Sequence, residues 1–138
     1  MNIKKIALLV LIFLLLISIM ALIKRLIPGP EKTITTLITA LQNYDINKIK
    51  KCFTGKALTY VEKQIQDKRG HLGIWASRDY FKDMVWQIDN KRKLEDGRIS
   101  CFISAAGGKN ERWEFSKELI FTRVGWNWKI SEIPELTE

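Results

Sequence analysis

The chain has 138 residues, a formal net charge of +8, and 46% hydrophobic and 28% charged residues, the length of one domain with the composition of a folded protein. Two cysteines, one histidine and three prolines exclude a disulfide-dense miniprotein, a multi-ligand zinc module and a proline-rich linker, and no metal site or cofactor is expected. Nucleic-acid binding is disfavoured as well. Half of the net charge lies in residues 1–30, where Lys4, Lys5, Lys24 and Arg25 face no acid, and the later runs Lys48, Lys50, Lys51 and Lys91-Arg92-Lys93 sit in separate segments without interleaved aromatics. A solvated or anionic-membrane-facing surface accounts for them.

From Ile6 to Ile23 the chain reads IALLVLIFLLLISIMALI, with Ser18 as the single polar residue. As a helix this run spans about 27 Å, close to the thickness of a bilayer core. It is longer than the apolar stretch of a signal peptide, passes straight into Lys24-Arg25, and offers only Ile19-Met20-Ala21 as a cleavage site. Residues 1–27 therefore read as an uncleaved anchor held in the lipid bilayer through residues 6–23, against the alternative of a removed signal. Residues 28–30 read as a Pro-Gly-Pro spacer, and 31–138 as the folded domain. The basic residues flanking the run are balanced. A short basic N-terminus ahead of a long apolar segment is the signal-anchor arrangement, so the expectation is a single-pass cell-membrane protein with its C-terminal domain outside the cytoplasm.

After Pro30, Ile34, Leu37, Ile38, Leu41 and Tyr44 recur at helical spacing, with Thr35, Thr36, Thr39 and Gln42 on the opposite face. Asp45 can cap a second, short helix with the stripe Ile46, Ile49 and Phe53. A third carries Leu58, Val61 and Ile65 and stops at Asp67-Lys68-Arg69-Gly70; Ser77 can cap one more turn. From Val85 the period becomes two, and the breaks Asp96-Gly97, Gly107-Gly108-Lys109-Asn110 and Gly125 are hairpin chemistry. Four antiparallel strands follow. The apolar face takes Trp86, Ile88 and Leu94, then Ile99, Cys101, Ile103 and Ala105, then Trp113, Phe115, Leu119 and Phe121, and last Trp126, Trp128 and Ile130. The other face is mainly Ser, Glu and Thr, with Phe102, Ile120 and Ile133 as its apolar members, so the sheet needs a cover on one side, which the helices supply. The predicted class is α+β: an N-terminal transmembrane helix, then helices packed on a curved four-stranded antiparallel sheet.

Two phrases carry a family likeness: Thr36 to Asp45, a helix ending in Asn43-Tyr44-Asp45 before the short Ile46 to Phe53 helix, and the closing Gly125-Trp126-Asn127-Trp128-Lys129-Ile130. In these the chain resembles the NTF2-like (cystatin-like cone) superfamily over most of residues 31–134. The single anchor is similar to that of small extracytoplasmic domains of Gram-positive bacteria and, more distantly, of conjugation-machine proteins of the VirB8 type. The resemblance implies a cone with a pocket and dimerisation through the sheet. It implies no activity, since one fold hosts many functions.

Enzymes of that superfamily place a carboxylate, histidine or tyrosine deep in the cone, so polar residues on the apolar face are the candidates. Lys117 lies there between Phe115 and Leu119, and Asn90 and Arg92 share the parity of Trp86 and Ile88. With Trp113 and Tyr44 they form the candidate ligand-binding set. Lys117 can serve as a base or anion site, or it is carried outward by a bulge, or its stem snorkels to the rim. His71 reads as an exposed loop residue, and Asp79 and Asp83 as surface acids. Cys52 and Cys101 either pair as a disulfide or remain two separate buried thiols. With no nucleophile, acid and base set in sight, the expected function is a non-catalytic binding or protein-interaction module. An assembly component of a membrane machine and a pocket enzyme using Lys117 are the rivals.

Overall fold

The computed structural model describes residues 2–26, 28–66, 81–108 and 112–137. The first element, α1 (Ile3–Leu26), is a 24-residue helix, about 36 Å long at the standard rise, with none of its residues buried against the rest of the chain. It is long and apolar enough to cross a membrane.

The helix α2 (Pro30–Gln42) begins on Pro30 itself, where a missing N–H costs nothing, and Pro30 is fully buried. The expected spacer is therefore shorter by one residue. The end of α2 is closed by two hydrogen bonds, from Tyr44 N–H to the Leu41 carbonyl (3.2 Å) and from Asp45 N–H to the Ala40 carbonyl (2.9 Å). This closure forces Tyr44 to φ 51°, the left-handed conformation that glycine takes at no cost. Tyr44 is exposed, so its ring contributes little packing in return. Tyr44→Gly is expected to raise stability by about 1 kcal/mol, read as a higher melting temperature; a fall would show that the ring is holding the turn.

Asp45 then caps α3 (Ile46–Lys51), its carboxylate accepting from Lys48 N–H at 3.2 Å, as the sequence suggested. After Cys52-Phe53-Thr54 comes α4 (Gly55–Gln66). The sheet consists of β1 (Val85–Lys93), β2 (Ile99–Gly107), β3 (Trp113–Val124) and β4 (Asn127–Glu132), antiparallel in the order β1-β2-β3-β4. A short α5 (Pro134–Thr137) ends the described chain.

The α+β architecture is as predicted: after α1 come α2, α3 and α4, then an open antiparallel sheet with one covered face. The core lies between them, with Ile34, Ile38, Ile49 and Val61 from the helices meeting Cys101, Ile103, Phe121 and Ile130 from the strands. The edge strand β4 is protected. Thr54 N–H donates to the Ile130 carbonyl and Ile130 N–H to the Cys52 carbonyl, both at 2.8 Å, so Phe53 pairs with Ile130 in a parallel bridge.

Two register shifts change which way side chains point. In β1, Ile88 faces Ile103 but Asn90 faces Phe102, leaving Asp89 as the extra residue of a bulge. A second shift lies between Ile120 and Phe121, opposite β4. The turn after β3 holds Trp126 out in solvent, 70% exposed, and not on the apolar face. Ile133 is corrected in the opposite direction: the chain folds back after β4 and buries it in the core. The Asp67–Gly70 turn, His71, the Ser77 cap, Asp79 and the Lys109-Asn110 part of the β2–β3 turn lie outside the described residues.

Candidate functional site

A cavity of about 460 Å³ lies between the helices and the inner face of the sheet. Its floor is built by strict alternation along two strands paired without a break, with Ala105 opposite Phe115, Ile103 opposite Lys117, and Leu119 next on the same face of β3. Ile34, Leu37, Ile38 and Leu41 of α2 form one wall, and Tyr60, Val61 and Gln64 of α4 another. Ile133 and Leu136, from the folded-back C-terminal segment, help to close it. The volume falls within the range of pockets for small organic ligands.

Because β2 and β3 pair without a bulge, Lys117 stays on the inner face, and the outward flip is excluded. Its stem lines the cavity while its ammonium reaches the rim, where it donates to the Glu135 carboxylate of α5. Trp113 also lines the cavity. Its indole meets the Phe81 ring edge-on at a centroid distance of 5.8 Å, and it packs so closely on Gly107 that a Cβ there would come within 2.8 Å of the ring. The Phe81 backbone is tied in turn to α2, its carbonyl accepting from Gln42 Nε2 at 3.1 Å.

The other sequence-predicted site residues are elsewhere. Past the bulge, Asn90 and Arg92 point to the outer face, opposite Phe102 and Ser100, and Arg92 lies 3.9 Å from Glu118. The bulge is held by Asp89, which accepts from Gln87 at 2.7 Å and from Ser104. Tyr44 is on the surface in its strained turn and does not line the cavity. The same one-residue shift turns Lys91 to the inner side, where it pairs with Glu31 at 2.7 Å. Burial opposes ionisation of Glu31, but the Lys91 ammonium outweighs it and holds the carboxyl below its usual value. Asp83, as expected, is exposed; it accepts from Gly108 N–H at 2.9 Å.

Sequence reasoning missed Tyr60, Gln64 and Leu136. Tyr60 and Gln64 lie four apart on either side of the apolar Val61, a spacing that puts both beside the buried stripe. Leu136 follows Ile133 at helical spacing after a proline that starts a turn.

Cys52 and Cys101 are separate buried thiols, not a disulfide. The Cys52 thiol donates to the Lys48 carbonyl at 3.3 Å. Burial pushes each thiol up to about 11, Lys129 opposing the rise at Cys52 and Lys91 at Cys101. The neutral thiol is thus the native form. The stability this provides is complete below the ordinary thiol range near 9 and is lost as pH rises toward 11, on the order of 2 kcal/mol per thiol. The folded chain is expected to resist maleimide at pH 8 and to melt at lower temperature at pH 10.5 than at pH 8. Rapid labelling of either cysteine in the native state would contradict the burial.

Among the described residues no group of three or more His, Cys, Asp or Glu is placed to hold a metal ion. Comparison with protein-family models, with curated proteins and with solved structures finds no significant match to this chain.

Proposed function

We propose that the chain is a membrane-anchored, non-catalytic binding module: α1 crosses the bilayer, and the following domain, an NTF2-like cone held outside the cytoplasm, takes an apolar or amphipathic small molecule in its cavity. The observation that carries this reading is the cavity of about 460 Å³ with an apolar floor and, among the described residues, one cation, Lys117, at its rim. Apolar enclosure supplies affinity, and a few polar groups at the mouth orient the ligand. Among the described residues that line it there is no Ser, Thr, Cys, His or Asp, and its ionisable members are Tyr60, Glu114 and Lys117.

On the outer face Thr122 bonds to Ser131 at 2.8 Å and Phe102 is exposed. The test uses the full chain in lipid nanodiscs with methyl groups labelled for NMR. Dodecanoate is expected to produce saturable shifts in the methyls of Ile34, Leu37 and Ile103, and none in those of Val85. No saturable shift up to millimolar dodecanoate would reject the cavity as a binding site.

A further inference from the structure

The two ends of the sheet differ in kind. The β1–β2 and β3–β4 turns lie at one end, where Ile99 is opposite Phe121 and Phe121 opposite Ile130. At that end the β3–β4 turn exposes Trp126 (70%) and Val124 (43%). Gly125, at φ +65°, makes the turn tight, and Arg123 lies against the Trp126 ring at 5.9 Å while its Nε donates to the Gly125 carbonyl. A tryptophan stacked with an arginine on a hairpin tip presents an apolar ring and a cation together.

The same end is tied to the anchor. The chain from Leu26 to Pro30 reaches at most about 14 Å, so the start of α2 stays close to the end of α1. In the first turn of α2, the Thr33 hydroxyl donates to the Trp128 carbonyl, two residues from Trp126. Lys91, near the end of β1, pairs with Glu31 of the same turn. The β3–β4 tip is therefore beside the point where the chain leaves the apolar helix. The charge there is positive: Lys24 and Arg25 close α1, and among the described residues Lys32, Lys93, Arg123 and Lys129 make no ion pair.

We propose that the β3–β4 turn is a second membrane contact, with Trp126 and Val124 in the interfacial layer of the bilayer that α1 crosses and Arg123, Lys32 and Lys93 against anionic headgroups. This rests on the reading of α1 as membrane-spanning. Tryptophan prefers the headgroup level, and lysine and arginine are drawn to anionic lipid within a Debye length of the surface. The Trp113 to Lys117 side of the cavity lies toward the opposite end of β3, so the contact turns that side away from the lipid.

The experiment places a nitroxide on the full chain in nanodiscs of phosphatidylcholine with about a third phosphatidylglycerol, at Val124→Cys, and at Val85→Cys as the control. Val85 is the same residue type, also exposed, at the far end of the sheet, and the native thiols are buried. The ratio of oxygen to water-soluble nickel accessibility is expected to be several-fold higher at 124 than at 85. It should fall to the control value on adding Trp126→Ala and Arg123→Ala, and fall partway in phosphatidylcholine alone. Equal ratios at 124 and 85, or a ratio at 124 that ignores the double substitution, overturn the contact; indifference to lipid charge overturns the role of the basic residues. A label at Ser18→Cys separates the two readings. If it reports bilayer depth while 124 reports water, the anchor stands and the second contact falls; if Ser18 itself reports water, both fall.

Discussion

Phe121→Ala is expected to unfold, or nearly unfold, the domain that follows α1. Phe121 is the largest of the fully buried side chains, 0% exposed, placed between Ile99 on one neighbouring strand and Ile130 on the other. Truncating a buried phenylalanine costs about 3–5 kcal/mol, because the transfer free energy of the ring is lost and the cavity left behind relaxes only in part. Domains of this size have about 5–15 kcal/mol in total. The melting temperature of the full chain in nanodiscs, followed by near-ultraviolet circular dichroism, should fall by at least about 12 °C. A variant melting within two degrees of the parent would mean that Phe121 is not at the centre of the core. Alternation in the sequence makes Trp128 look equally central, yet it is only half-buried, and Trp128→Ala should cost roughly half as much.

Ala105→Phe should leave the fold in place and abolish dodecanoate binding. Ala105 sits on the floor of the cavity, between Trp86 and Phe115 on the adjacent strands, and its methyl points into the open volume. A phenyl ring there occupies the space a ligand needs, and it does so in a void, so the overpacking penalty of a filled core does not arise in full. Saturable methyl shifts should disappear while the melting temperature stays within about 5 °C of the parent. Lys117→Met is the companion: it keeps an apolar stem, removes the cation at the rim, and should weaken carboxylate binding about tenfold while leaving binding of the corresponding alcohol unchanged. Undiminished binding in Ala105→Phe would place the ligand outside the cavity.

The order and kind of elements could be read from the sequence because hydrophobic period and turn chemistry agree along most of the chain. Ile34, Leu37, Ile38 and Leu41 repeat on a helix, Cys101, Ile103 and Ala105 alternate on a strand, and glycines 97 and 125 take the positive φ their turns require. Lys117 and Trp113 lie on the face that strand parity gives them because β3 pairs with β2 without interruption. Asn90 and Arg92 were not, since parity arguments carry no information about a single inserted residue, and Asp89 looks like any other strand residue until its side chain is seen bonded to Gln87 and Ser104. Tyr44 continued a helical stripe on paper, but the helix had ended two residues earlier. Trp126 followed a glycine in a pattern read as a strand, whereas the turn includes it.

The parallel bridge between Phe53 and Ile130 has a consequence for how the molecule comes to be folded. It joins the segment between α3 and α4 to the last strand, 77 residues later, and through Thr33 the first turn of α2 is also tied to that strand. Neither the helices nor the first three strands can close the core until β4 is available to pair with them. Contacts so distant in sequence make closure slow relative to helix formation. In a chain that also carries a segment long and apolar enough to enter a membrane, the α2–α4 region keeps its apolar faces uncovered until β4 joins, and core closure is a late event in folding.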